Sequence, residues 1–359
     1  MSTLFDYAVN FKEKSIIQPV EIGFLKKVGV FAPPKTALMS EDGEGSGMLM
    51  IEDLKSKSKS HDDGQEQEPQ LLSSPQEYVM FEATRGTYKT FTDNEDLEGF
   101  FDSGMNAVFI LMSKTDAQRV DGQPQSKPLD TDQLMTICYS SSYSIDQAKT
   151  MLVDGFNGVY LAVTKEESKA EEFLAISENH FCFLDTSESV SGYGMCAAVG
   201  HHLTRKYWRN NQYFQPMKPE KVGGVSDSAH ARNLLEKGVS FYIKDESMAA
   251  YLGFFGNKHN GIAHPYISEE VKLKSQESLT KWIQSREPVN TSIDIALAQR
   301  VANEPIRDYE QEPYRYLDPD YDNRVTISKS DTKYHASGDF EIKIPSPVWV
   351  FDIESTVVS

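Results

Sequence analysis

Residues 96–114 read DLEGFFDSGMNAVFILMSK and residues 146–165 read DQAKTMLVDGFNGVYLAVTK, and the two stretches match at a constant offset. Gly104, Asn106, Val108, Phe109 and Lys114 of the first recur as Gly155, Asn157, Val159, Tyr160 and Lys165 of the second. In each, an amphipathic stretch ends at a glycine suited to a left-handed helix C-cap, and a β-branched and aromatic run of strand length follows. The pattern predicts a helix, a turn and a strand. Weaker copies stand at residues 171–185 (EEFLAISENHFCFLD) and 229–244 (AHARNLLEKGVSFYIK), the latter with Gly238 as its cap. Four such units predict a layered α/β domain whose mixed sheet is largely buried.

Outside these units the chain divides by composition. Residues 15–34 carry IIQPVEIGFLKKVGVFAPP, in which Val20, Ile22, Phe24, Val28 and Val30 alternate with other residues in strand fashion. Residues 1–39 therefore read as an extended arm leading into a first strand. Residues 40–75 turn polar, with SEDGEGSG and SKSKSHDDGQEQEPQ, and read as a solvated insertion. Residues 114–132 form a second polar loop. Helices are expected near 195–207, 268–286 and 291–303, and irregular backbone over 307–321. Strand patterns return at 324–328 and at 339–353, where DFEIKIPSPVWVFDI places Phe340, Ile342 and Ile344 in alternation before Pro345 and Pro347. The division is thus an arm (1–39), an insertion (40–75), an α/β body (76–338) and a carboxy-terminal arm (339–359). Neither arm has an evident hairpin partner in the sequence beside it.

The chain has 359 residues with 39% hydrophobic content, enough for a real core, and a net charge of −18 that repels polyanions such as DNA. Nucleic-acid binding is not expected. Cys138, Cys182 and Cys196 lack CxxC spacing and read as reduced, packed thiols. No stretch approaches the roughly 18 apolar residues of a membrane span, so no direct membrane insertion is expected.

Candidate chemistry is sparse. GEGSG at Gly43 lacks a following Lys-Ser or Lys-Thr and lies in an acidic stretch. Asp318, Asp320 and Asp322 have calcium-loop spacing, but Asn323 and Lys329 stand where the loop needs glycine and glutamate. They read as a solvated acidic turn. His201 and His202 are adjacent, about 100° apart on a helix, and do not share the face a metal pair needs. His259 and His264 flank NGIA without a carboxylate at ligand spacing and read as loop residues. Cys182 and Cys196 lie in apolar elements that disfavour a thiolate. No catalytic, cofactor or metal site follows from these residues, and no enzymatic activity is expected.

The order of elements resembles the contractile tail-sheath family of phages and related injection machines. The resemblance is carried by the amino-terminal IIQPVEIGFLKKVGVFAPP, by EYVMFEATRGTYKTFTDNEDLEGFFDSGMNAVFIL, by EKGVSFYIKDESMAAYLGFFGNKHNGIAHPYISEEVKLKSQESLTKWIQ with its strand GVSFYI and Trp282, and by the terminal FEIKIPSPVWVFDI. The chain is short for that family. The resemblance implies a structural virion subunit, assembled in the host cytoplasm, that polymerises with itself as stacked six-fold rings around a tail tube. It implies contacts with the tube protein, baseplate and tail terminator, contraction that drives injection, and no cofactor. It also implies arms donated to neighbouring subunits, with Ile16, Ile17, Val20 and Ile22 at one end and Phe340, Ile342, Ile344, Val348 and Val350 at the other as interface residues. Other readings are a tube, baseplate or capsid component sharing the same physics, and an α/β enzyme using the sheet edge as a ligand crevice.

Overall fold

A computed structural model describes residues 10–11, 14–15, 25–35, 78–118, 120, 126–128, 134–151, 158–206, 208, 214–244, 249–286, 291–311, 315–329 and 336–345. The 40–75 insertion, Gly155, Ile16, Ile17, Val20, Ile22, Val348 and Val350 lie outside the described residues. The chain opens with two short antiparallel strands, β1 (Asn10–Phe11) and β2 (Lys14–Ser15). Then come β3 (Val28–Phe31), β4 (Tyr78–Thr84), α1 (Tyr88–Phe91), α2 (Glu98–Asp102) and β5 (Ala107–Ser113). After α3 (Lys114–Ala117) and β6 (Lys127–Pro128) the chain runs through β7 (Met135–Tyr139), α4 (Ile145–Thr150), β8 (Gly158–Thr164), α5 (Glu167–Leu174) and β9 (His180–Leu184). The helices α6 (Tyr193–Thr204) and α7 (Ser228–Lys237) precede β10 (Ser240–Lys244) and β11 (Ala250–Phe254). Two long helices, α8 (Ala263–Arg286) and α9 (Ser292–Glu310), lead to a last pair of strands, β12 (Arg324–Lys329) and β13 (Ala336–Glu341).

The nine-stranded main sheet has the order β11-β10-β9-β8-β7-β3-β5-β4-β6. From β5 to β10 all neighbours are parallel, while β4 and β11 join antiparallel at the two sides. Strands such as MTICY and HFCFL are buried at every residue because helices cover both faces. Val108, Ile110, Val159, Leu161, Phe181 and Phe183 face a first layer built from α2, α6, α8 and α9. Their neighbours Phe109, Leu111, Tyr160, Ala162, Cys182 and Leu184 face a second layer built from α4, α5 and α7. The chain is therefore an α/β protein with a mixed sheet.

The two matching stretches differ in one respect that their sequences hide. Phe100 and Phe101 of α2 pack in the first layer, whereas Ile145 and Ala148 of α4 pack in the second. The strand that precedes α2, β4, is antiparallel to β5, so its connection caps one end of the pair, while α4 is the crossover between parallel β7 and β8. Strand parity is conserved between the copies and helix placement is not.

Three expected boundaries need correction. The first long helix begins at Ala263, not near Ser268, because Pro265 sits in its opening turn, where a missing N–H costs nothing. Its companion passes through Pro305 and runs to Glu310, so residues 307–310 of the expected irregular segment are helical. Burial of Ile306 and Tyr309 outweighs the roughly 3 kcal/mol that an interior proline costs. Finally, the carboxy-terminal strand has a hairpin partner: Val325 faces Phe340 across an antiparallel ladder of β12 with β13.

Gly104 (φ 96°), one residue past the C-cap of α2, and Gly238 (φ 73°), the C-cap of α7, are both left-handed. A Cβ on Gly104 would meet only Thr204 Cγ2 at 4.0 Å, but one on Gly238 would lie 2.1 Å from the Lys258 nitrogen. Gly104→Ala is expected to cost about 1–2 kcal/mol from backbone conformation alone. Gly238→Ala must also displace backbone and is expected to lower the melting temperature further, which paired thermal melts would check.

Candidate assembly surfaces

The hairpin of β12 and β13 has two unlike edges. Along β12, the Val325 N–H donates to Asn303 Oδ1 and the Val325 carbonyl accepts from Asn303 Nδ2, each at 2.8 Å. The Ile327 N–H donates to Gln299 Oε1 at 3.3 Å. Gln299 and Asn303 stand one turn apart on α9, so a single helix face covers two successive outward positions of the strand. Along the end of β13 and the residues that follow it, the side chains sort by parity. Phe340, Ile342 and Ile344 are half-buried against the subunit's own core, while Asp339, Glu341 and Lys343 are exposed. Beyond β13 the chain is pinned again, as the Lys343 N–H donates to Asn323 Oδ1 at 2.7 Å and its Nζ pairs with Asp318 at 2.8 Å. Lys343 thereby draws the Asp318 carboxyl below its ordinary range. The acidic turn at 318–322 is thus tied to the hairpin through Lys343, and Asp322 pairs with Arg324.

The points where the body hands over to its terminal segments lie on one aromatic cluster. Lys26 Nζ donates to the Arg205 carbonyl at 2.7 Å and sits 5.6 Å from the Trp208 ring centroid. Trp208 stacks on Tyr266 of α8 (4.9 Å, 17°). At the start of the same helix, His264 Nε2 donates to the Ile344 carbonyl at 3.2 Å. His264, expected in a loop, is therefore helical, and its Nε2–H tautomer is fixed by that carbonyl. Glu270 accepts from Trp208 Nε1 and, at 2.7 Å, from Tyr309 Oη, joining α8 to α9. His202 fills the middle of this cluster, near Trp208, Phe255 and Tyr266, 1% exposed and with both ring nitrogens unpartnered among the described residues. Burial first, then the positive charges of Arg205, His201 and Lys26, push its pKa down to about 3. His201 instead stacks on Phe214 at 4.1 Å.

The carboxyl ends of the parallel strands, where an open α/β sheet offers its ligand crevice, hold the chain's own carboxylates. Asp96 accepts from the N–H groups of Ser141 (2.8 Å) and Gly192 (2.9 Å), the second at the N-cap of α6. Asp185 accepts from Ser187 and Ser191. Beside them Glu98 bonds to Lys218 (2.6 Å) and Lys221 (3.2 Å), and Asp102 bonds to Arg85 (2.6 Å), Tyr193 (3.0 Å) and Lys218 (3.3 Å). Lys218, with Lys221, draws Glu98 below the usual carboxylate range. For Asp102, burial pulls the pKa up, but the bonds from Arg85, Tyr193 and Lys218 prevail and it too is lowered. These contacts cap a helix and staple residues 214–221 to α2, a structural use of buried charge.

The other candidate residues do not converge. The His259 N–H donates to Asn257 Oδ1. The three cysteines are free and buried, and burial pushes all three thiols up. No group of three metal-ligating side chains occurs among the described residues, and no helix there is long and apolar enough to cross a membrane. The sequence reading missed Gln299 and Asn303. The signal was present, since two amides one turn apart on a helix can dress a strand edge, but it needs the strand's position to be legible.

The sheet order, its antiparallel sides and the separate terminal hairpin define a mixed α/β body with an added two-stranded sheet. A similar overall fold occurs in two chains of the anti-feeding prophage. A chain of the anti-feeding prophage (AFP) baseplate, determined by cryo-EM with 6-fold symmetry, superimposes with a TM-score of 0.58 at 10% identity, covering 98% of this chain and 100% of that one. A chain of the AFP helical sheath in its contracted state gives a TM-score of 0.53 at 10% identity, covering 97% and 99%. The chain thus has the fold of the contractile sheath resemblance read from its sequence. No protein-family model and no curated protein matches it.

Proposed function

We propose that this chain is the subunit of a contractile tail sheath, a non-enzymatic building block that polymerises as stacked rings around a tail tube and shortens to drive injection. The observation that carries the reading is the likeness to the AFP sheath chain over nearly the whole length of both. A subunit that joins its copies through unlike surfaces forms rings or open helices. The terminal segments, rooted at Lys26 and Ile344, are donated to neighbours as strands, with backbone hydrogen bonds giving affinity and alternate apolar side chains giving register. Interface residues on this reading are Ile16, Ile17, Val20, Ile22, Val348 and Val350, with Phe340 on the hairpin and Ile342 and Ile344 in the stretch that follows it. The energy of shortening is stored in the packing of the extended lattice, and the subunit's partners are its own copies, the tube, the baseplate and a terminator. It works in the particle's tail after assembly in the host cytoplasm.

A second reading, that the subunit belongs to the baseplate end of such a particle, is favoured by the likeness to the AFP baseplate chain. Electron microscopy of the purified protein separates the two. Long tubes of uniform width are the expected result, and flat rings that never stack would transfer the chain to the baseplate. Dispersed monomers at high concentration would overturn both.

A further inference from the structure

The two ends of α6 carry opposite charge. At its amino end the Asp96 and Asp185 carboxylates accept from the N–H groups of Gly192 (2.9 Å) and Ser191 (3.0 Å). Glu188, in the loop between Asp185 and Ser191, is exposed, as is Glu220. Their two loops are tied together where Thr186 Oγ1 donates to the Gly224 carbonyl at 2.8 Å. Lys218 and Lys221 reach this end too, but Glu95, Glu98 and Asp102 take them up as ion pairs. Glu188 and Glu220 pair with no cation among the described residues, so an acidic excess remains even with Lys244 against Gly224.

The carboxyl end, about 18 Å away along 12 helical residues, holds cations instead. Arg205 and Lys206 follow the last turn and are exposed. Lys26 Nζ donates to the Arg205 carbonyl at 2.7 Å, and Lys27 Nζ lies 5.8 Å from the Phe109 ring centroid. After burial, the charges of Arg205 and Lys26 both act to lower the His202 pKa, so these cations share one neighbourhood. Neither is ion-paired among the described residues. The helix dipole accounts for the charges that touch its ends, Asp96, Asp185 and Lys26. It gives no reason for the exposed Glu188, Glu220 and Arg205 beyond them.

We propose that copies of this chain dock head to tail along α6, the basic end with Lys26 and Arg205 of one copy facing the acidic end with Glu188 and Glu220 of the next. This rests on the sheath reading, in which the subunit polymerises with itself. The occupant is a second copy because the two ends complement each other in charge. A chain of net charge −18 repels its copies at long range, so a local match of opposite charges selects the productive approach. Unlike ends that fit each other make a heterologous contact, which repeats as a ring or an open helix. Each exposed pair is worth only about 0–1 kcal/mol. The charges therefore set direction and register, while other contacts supply most of the affinity.

Charge reversal with cross-rescue tests the contact, read by light scattering during assembly and by sedimentation afterwards. Arg205→Glu alone, or Glu188→Arg alone, places like charges together and is expected to slow assembly about tenfold or more at low salt. An equimolar mixture of the two variants should recover the parent rate, as should one chain carrying both changes, because every contact again joins opposite charges. Parent assembly should itself slow between about 0.1 M and 1 M salt, where the screening length falls from about 10 Å to about 3 Å. Both positions are exposed, so melting temperatures should match the parent's. Arg205→Gln and Glu188→Gln replace the reversals if they do not. Parent-like assembly by either single variant, or a mixture no faster than its components, would overturn the head-to-tail contact and leave the sheath reading standing. A parent protein that never sediments would remove that reading, and the contact with it.

Discussion

A subunit shortened to residues 1–345 is expected to fold as the full chain does yet fail to sediment as a polymer, whereas one shortened to residues 1–338 loses stability. The difference lies in which residues serve the body. Phe340 completes the ladder with Val325, Lys343 pairs with Asp318, and Ile344 holds His264. Cutting at 338 removes three half-buried apolar side chains, worth roughly 1 kcal/mol each at that degree of burial. It also frees Val325 and Ile327 of their cover. A total of about 3–4 kcal/mol is a large part of the 5–15 kcal/mol that holds a domain together. Cutting at 345 spares every one of these contacts and takes only the segment assigned to a neighbour. Sedimentation with circular dichroism melts on the two truncations decides the matter. Parent-sized polymers from residues 1–345 would end the arm mechanism, and an undiminished melt from residues 1–338 would show that the hairpin is not part of the body.

Acid should weaken the subunit below pH 6.5 through His202. Its folded pKa, about 3, lies below the ordinary 6.5, because charging the ring would bury an unpaired cation among Trp208, Phe255 and Tyr266. Between those values the unfolded chain takes up a proton that the folded chain refuses. The stability contributed by the neutral ring is therefore complete above pH 6.5 and lost as pH falls toward 3, at about 1.4 kcal/mol per pH unit. At pH 4.5 the loss is about 3 kcal/mol by the same arithmetic. His202→Phe keeps an aromatic ring in the cluster and removes the titrating group. Its melting temperature should fall less than the parent's between pH 7 and 4.5. Parallel profiles for the two proteins would show that His202 does not govern acid stability.

Much of the body was legible because its signals are local. A glycine after an amphipathic stretch and a run such as VFILM mark a helix end and a buried strand without knowledge of the rest of the chain. The layered mixed sheet follows from repeating that unit. What was not legible depends on contacts between distant segments. Placement of α2 and α4 on opposite faces is decided by strand direction, which the two matching stretches do not encode. The extent of α9 past Pro305 is decided by a core that Ile306 and Tyr309 reach only in the folded chain. Pairing of Val325 with Phe340 spans a polar connection, and neither strand alone announces its partner. Gln299 and Asn303 are ordinary surface amides by sequence and become edge covers only beside β12.

The shared cluster at the roots of the two terminal segments bears on how such a subunit would carry mechanical load. Lys26 rests on Trp208, Trp208 stacks on Tyr266, and two residues before Tyr266 the His264 ring holds the Ile344 carbonyl. Tension entering at one root reaches the other through one aromatic stack and half a turn of helix. That short route meets the parallel strands where Tyr266 Oη and Thr136 Oγ1 of β7 lie 2.5 Å apart. On the proposed sheath reading, a pull between neighbours would enter and leave the body along one flank and not across its sheet.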